Sequence, residues 1–228
     1  EVAEAAKLLE NTYRAVNIAL VNETKVILDA MGIDVWRVID AAATKPFGFQ
    51  RFEPGPGFGG HCIPVDPFYL AHRASELGVA ADFIALAGEV NVRMPKFVIE
   101  KLETALADRG TRLEDASVLL VGLAYKPNID DDRESPAAEL LALLSARGVH
   151  VAYHDPHIPL FAPMRKHRFE LESTPLTKAA LAEFDAAVIV TRHDAVDYSE
   201  LGKRIPLIID TRNAMAAIPE CSATVVRA

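Results

Sequence analysis

From Val2 the apolar positions Ala6, Leu9, Tyr13, Val16, Leu20, Ile27 and Met31 follow steps of three and four or their sum. That is the stripe of one long amphipathic helix, and Gly32 is placed to end it. Asp34 can cap a second helix through Ala43. Residues 46–64 hold many glycines and prolines but also several aromatics, so they read as an ordered loop and not a linker. Asp66 and Pro67 suit the N-cap and first position of a third helix that stops near Gly78. A fourth helix is expected from about Ala81 to Arg109, with Pro95 as a site for a bend.

After Gly110 the period changes. SVLLVGLAY is an apolar run of strand length, SPAAELLALLSARG a capped helix and HVAYHDP a second strand, which together make a βαβ unit. AAVIVTRH and PLIIDTRN repeat the strand pattern, with the helical stretches KAALAEF and YSELGK between them. A parallel sheet flanked by helices is the economical fold. The chain is therefore α/β: an all-helical domain over 1–110 followed by a Rossmann-like parallel α/β domain over 111–228. There is no internal repeat and no low-complexity segment.

Composition narrows the partners. The 228 residues carry 24 Lys and Arg against 32 Asp and Glu, a formal net charge of −8. With no basic stripe, neither nucleic acid nor an anionic membrane surface is a fitting partner. Two cysteines are too few for a disulfide framework, and no apolar run approaches membrane-spanning length. A reducing, soluble, cytoplasmic setting and a small-molecule ligand are expected. The sequence starts at Glu1, without methionine and inside a helical pattern, as a piece of a longer protein would.

One of those cysteines, Cys62, lies in GPGFGGHCIPVDP, residues 55–67. Cysteine is often a small core hydrophobe. Here Gly57, Gly59 and Gly60 remove side chains and Pro64 stiffens the far side, which favours a reactive thiol to which a ligand can draw close. Cys221, in an ordinary run, keeps the core reading. Asp66 has two compatible readings, a helix cap and an aimed carboxylate able to act as a base. Lys7 and Asn11 share one face of the first helix, where Lys7 with Glu4 or Glu10 also makes an ordinary solvated pair. His61 adjoins the cysteine, but neighbouring side chains usually diverge, so it reads as a loop residue and not a base. The other histidines show no metal-ligand spacing, and no metal is expected. GPGFGG matches GxGxxG by letters only, since no strand precedes it and no helix opens at its last glycine. Lys126, Arg133 and Arg212 follow strand ends, where open parallel sheets bind ligands, though surface charge explains them equally well.

In order, KLLEN, GPGFGGHCIPVDP, GLAYKPNIDDDRESPA and the late DTRN resemble the UDP-glucose/GDP-mannose dehydrogenase family of nucleotide-sugar dehydrogenases over nearly the whole chain. GGHCIPVDPFYL, AYKPNIDDDRESP and HDPHIP are most similar to its branch oxidising UDP-N-acetylglucosamine; sister enzymes use UDP-N-acetylmannosamine or UDP-glucose. The resemblance implies a central helical dimerisation domain and a C-terminal domain that binds the UDP-sugar. The family's N-terminal NAD-binding domain is absent from the chain.

The family oxidises the sugar C6 alcohol to a carboxylate with NAD, in two hydride transfers. By motif position Cys62 would be the nucleophile forming thiohemiacetal and thioester, Lys7 would stabilise the oxyanion with Asn11 bonding the same oxygen or the hydrolytic water, and Asp66 would act on water or on Lys7. Glu53, Pro54, Gly55, Pro56, Gly57, Phe58 and Gly59 would contact the substrate, as would Tyr125, Lys126 and Arg212. Ile63, Pro64, Val65 and Arg133 would lie near the cofactor. The family also lends an arginine from the neighbouring subunit of a homodimer; Pro46 stands at the matching position, leaving Lys45 or Arg51 to take that part. Two readings of another class, a non-catalytic UDP-sugar-binding module and a dimerisation piece, leave the nucleophile without a use.

Overall fold

Helix α1 (Val2–Ala30) runs for 29 residues and ends at Met31, with Gly32 in the left-handed region at φ 71°. Asp34 accepts a hydrogen bond from the Trp36 amide at 2.9 Å and so caps α2 (Val35–Ala43). Helices α3 (Asp66–Glu76) and α4 (Asp82–Ala107) follow, the latter with Pro95 inside it. The computed structural model describes residues 1–161 and 169–228. Contacts divide the chain into two units, Glu1–Met94 and Pro95–Ala228.

In the first unit α1 buries an unexpected face. Asn11, Ala15, Ala19, Asn22 and Lys25 point inward, while Leu9, Tyr13, Leu20, Ile27 and Met31 of the apolar stripe are exposed. Small side chains allow close approach: Ala19 packs with Ala87 and Val90 of α4. Val35, Trp36 and Ile39 of α2 form a second cluster with Val21 and Leu28.

The division between units falls inside α4 and not after it. Beyond Pro95, Val98, Ile99, Leu102 and Leu106 are buried in the same cluster as Val118, Leu120, Leu140 and Leu141. Each such side chain contributes about 1.5–3 kcal/mol of burial, which ties the second half of the helix to the sheet.

That sheet is parallel throughout, in the order β2-β1-β5-β6-β7. Its strands are β1 (Ser117–Val121), β2 (His150–His154), β5 (Ala186–Ile189), β6 (Leu207–Asp210) and β7 (Thr224–Arg227), with helices α5 (Pro136–Ala146), α6 (Lys178–Leu181) and α7 (Tyr198–Arg204) between them. Two-residue strands β3 (Leu160–Phe161) and β4 (Leu171–Glu172) form a separate antiparallel pair. β1 is shorter than its apolar run, because at Gly122 (φ 90°) the chain turns against Thr191. A Cβ at residue 122 would lie 2.3 Å from the Thr191 carbonyl oxygen, so only glycine fits. After β2 the chain crosses to the other side of β1, so the strand order reverses at β1 and β5. Open α/β sheets bind ligands outside the carboxyl ends of such strands.

Candidate active site

Two side chains one turn apart on α1 meet the first residue of α3. Asn11 Nδ2 donates to Asp66 Oδ2 at 2.7 Å, and Lys7 Nζ stands 3.7 Å from the same oxygen. Arg14 Nη1 donates to Asn11 Oδ1 at 2.8 Å. That bond fixes the amide: its oxygen is occupied, so its nitrogen faces the carboxylate. Asn11 is buried and Lys7 exposed, so the ammonium meets the amide–carboxylate pair from the solvent side. The cap expected of Asp66 is corrected here, since α3 has no side-chain cap and Asp66 is its first helical residue, its carboxylate engaged by α1.

The Cys62 carbonyl accepts from the amides of Val65 at 3.1 Å and Asp66 at 2.8 Å. The nucleophile candidate thus lies in the turn that opens α3, one helical turn before Asp66. Its thiol is free and half-buried, with Sγ 3.9 Å from His61 Nδ1. The expectation that His61 diverges from the thiol is corrected: side chains of a tight turn do not alternate as they do on a strand. Gly57 (φ 115°) and Gly60 (φ 88°) have conformations that an L side chain would strain. Ile63, Pro64 and Val65 are half-buried beside the cysteine.

The loop is rooted in the helices. Asn22, fully buried, accepts from the Gly55 amide through Oδ1 at 2.9 Å and donates through Nδ2 to Asn91 Oδ1 at 2.8 Å. Asn91 in turn donates to the Ala87 carbonyl at 2.9 Å. Pro54, Gly55 and Pro56 are buried; Gly57, Phe58 and Gly59 are half-buried, and Glu53 is exposed. Glu53 accepts from Arg51 Nε at 3.1 Å, and Arg51 Nη1 also holds Asp40 at 2.6 Å. Of the two cations considered for the lent arginine, Arg51 is thus engaged within this unit, while Lys45 is exposed.

In the second unit the candidate residues stand past the carboxyl ends of the strands. Tyr125 is half-buried, its amide bonded to the Asp131 carbonyl at 3.0 Å, and Lys126 is exposed. Arg212, after β6, donates from Nε to the Val190 carbonyl at 2.8 Å, while its amide is bonded to Asp210 Oδ1 at 2.9 Å. Arg133 is closed onto Asp131, with Nη2 at 2.6 Å and Nε at 2.9 and 3.1 Å from the two oxygens.

Beneath them is a buried polar group that sequence reasoning missed. Asp155 Oδ2 accepts from the amides of Leu123 at 2.7 Å and Ala124 at 2.9 Å; Oδ1 accepts from His157 at 2.8 Å and Ile158 at 3.1 Å. His193 Nε2 lies 3.1 Å from Asp155 Oδ2 but off the line of a good hydrogen bond. Burial alone would push the Asp155 carboxyl up; the close His193 ring and the hydrogen bonds from the Ala124 and His157 amides outweigh it and hold it down at about 2. The available signal was positional: HDP and TRH each sit just past an expected strand. Among the described residues no cluster of three or more His, Cys, Asp or Glu side chains could hold a metal ion.

Residues 1–93 match the model of the UDP-glucose/GDP-mannose dehydrogenase family, central domain, and residues 119–217 that of the UDP-glucose/GDP-mannose dehydrogenase family, UDP binding domain. The chain is 34% identical over 221 residues to UDP-N-acetyl-D-mannosamine dehydrogenase of Methanococcus vannielii, covering 93% of this chain and 48% of that protein. It is also 34% identical over 218 residues to UDP-N-acetyl-D-glucosamine 6-dehydrogenase of Pseudomonas aeruginosa, covering 93% and 50%. Among solved structures, NDP-N-acetyl-D-galactosaminuronic acid dehydrogenase from Methanosarcina mazei superposes with a TM-score of 0.83 at 27% identity, over 99% of this chain and 50% of that one. The chain spans about half the length of these relatives.

Proposed function

Because the chain belongs to the UDP-glucose/GDP-mannose dehydrogenase family, we propose that it carries the nucleophile and the nucleotide-sugar site of an NAD-dependent UDP-sugar 6-dehydrogenase. The substrate in this reading is UDP-N-acetylglucosamine. Relatives named for different N-acetylated sugars support the class. The choice over UDP-N-acetylmannosamine or UDP-glucose leans on the motifs GGHCIPVDPFYL and HDPHIP.

The observation that carries the reading is Asp66, gripped by Asn11 and Lys7 one turn beyond a free thiol in a glycine loop. NAD⁺, when bound, would be the hydride acceptor for both oxidations. The described residues do not fit a whole dinucleotide: residues 122–135 separate β1 from α5 without a glycine-rich turn, and Arg133 is closed onto Asp131. What this chain supplies is sulfur, amine, amide and carboxylate. Cys62 as thiolate adds to the C6 aldehyde and retains the carbon as a thiohemiacetal, then as an acyl thioester after the second oxidation. Lys7 donates to the oxygen that becomes anionic, and Asn11 holds Asp66 in line. Asp66 then orients or deprotonates the water that frees the acid and restores the thiol. In unit 2, Tyr125, Lys126 and Arg212 take the UDP moiety, the cations facing its phosphates.

The same reading has the protein act as a cytoplasmic homodimer, with neither nucleic acid nor membrane as partner. Among the described residues no helix is long and apolar enough to cross a membrane. The test is the sulfur. In the active enzyme Cys62→Ser should abolish steady-state acid formation, because a hydroxyl is a far poorer nucleophile at neutral pH. Alkylation of Cys62 should stop turnover, and UDP-sugar should protect against it. Full alkylation with unchanged turnover would remove Cys62 from the mechanism.

A further inference from the structure

The loop after β1 carries Tyr125 and Lys126, and both its ends are held from below. At the near end Asp155 takes the Leu123 and Ala124 amides, and Thr191 Oγ1 donates to the Ala124 carbonyl at 2.6 Å. At the far end, Asn128 has φ 60°, a left-handed conformation that costs a non-glycine residue energy unless its surroundings impose it. The surroundings are residues 193 and 194. The Asn128 amide donates to His193 Nδ1 at 3.0 Å, the Asn128 side chain donates to Asp194 Oδ2 at 2.8 Å, and the Asp194 amide donates back to Asn128 Oδ1 at 3.0 Å.

His193 is fully buried and one ring spans both ends. Because Nδ1 accepts, the neutral ring carries its proton on Nε2, the nitrogen 3.1 Å from the Asp155 oxygen that receives Leu123 and Ala124. The His193 amide is itself fixed, donating to the Tyr198 hydroxyl at 3.0 Å. All of this lies past the carboxyl ends of β1, β2 and β5, where the strand order reverses.

We propose that His193 is a positioning residue for nucleotide recognition: through Nδ1 it fixes Asn128, and with it the loop that presents Tyr125 and Lys126 to the UDP moiety. The inference rests on the reading of unit 2 as the UDP site. It separates the two ring nitrogens by task. Nδ1 shapes the loop and so sets affinity, whereas Nε2, in its poorly aligned contact with Asp155, contributes to stability alone.

Two substitutions distinguish the tasks. His193→Asn places a side-chain oxygen where Nδ1 stood and has nothing to reach Asp155, while His193→Gln reaches toward Asp155 and loses the acceptor for Asn128. Titration calorimetry of the purified protein with UDP, beside thermal melts, should show His193→Asn within about threefold of wild-type affinity with a lowered melting temperature. His193→Gln should weaken UDP about tenfold, the scale of one lost hydrogen bond. Wild-type affinity in His193→Gln, or equal weakening in both folded variants, overturns the assignment to Nδ1. Failure of the wild type itself to bind UDP overturns the underlying reading of unit 2, and the inference with it.

Discussion

At the scale of the residue, the site divides into groups that the sequence exposes and groups that only folding reveals. Cys62, Lys7, Asn11 and Asp66 were legible because each lies in a short motif, and the structure brings the last three together. Asp155 and His193 were not, because their 3.1 Å approach depends on β2 and β5 lying either side of β1. No spacing along the chain encodes that neighbour relation. In the proposed mechanism Asp66 acts as base through its charge more than its shape. Asp66→Asn preserves an oxygen for Asn11 but removes the charge beside Lys7 and the base for water. In the active enzyme this change should lower kcat by about 10²–10⁴, the range of one general base. It should also leave an acyl adduct on Cys62, visible as added mass in the quenched intact protein. Release of acid at the wild-type rate in a single turnover would show that Asp66 acts elsewhere.

At the scale of the element, the pattern of apolar positions located the helices α1 to α7 and four of the parallel strands, since each leaves a period or a continuous run in the sequence. β7 and the pair β3–β4 escaped, the last two having only two residues each. α4 presents a subtler case. Its apolar pattern reads as one element of the first domain, yet Leu102 and Leu106 lie in the core of the second unit. A continuous helix can serve two cores in succession, because its pattern records that a face is covered and not what covers it. Leu102→Ala should therefore cost about 2–5 kcal/mol, the range for truncating a buried leucine. Val92→Ala on the same helix, where the side chain is 67% exposed, should cost less than about 0.5 kcal/mol. Denaturant titration followed by the β-sheet signal measures both, and equal effects would contradict the division of α4.

At the scale of the whole molecule, α1 sets the first question. Its inward face is small and polar, and Leu9 and Leu20 of its apolar stripe are 67% and 60% exposed. The stripe was legible in the sequence, but which face it would serve was not, because Asn11 and Asn22 find their partners, Asp66 and Asn91, only in the fold. An apolar stripe of that length in water favours self-association. Sedimentation should find a dimer, and Leu20→Glu should shift it to monomer with helicity unchanged; a wild-type monomer at all concentrations would refute the association. The second question is which ligands the 228-residue chain binds by itself. Arg212, held by the Val190 carbonyl, and Lys126 supply positive charge past the carboxyl ends of the strands, where two phosphates of a nucleoside diphosphate would gain most from it. NAD⁺ carries two phosphates as well, so charge alone does not separate the ligands. A dinucleotide also requires a glycine-rich turn that leads a strand directly into a helix N-terminus, and residues 122–135 intervene between β1 and α5. Calorimetric titration should therefore show binding of UDP that weakens as salt is raised and when Arg212 is changed to Ala, and no measurable binding of NAD⁺. Tight NAD⁺ binding by this chain would reassign unit 2 from nucleotide-sugar recognition to the cofactor.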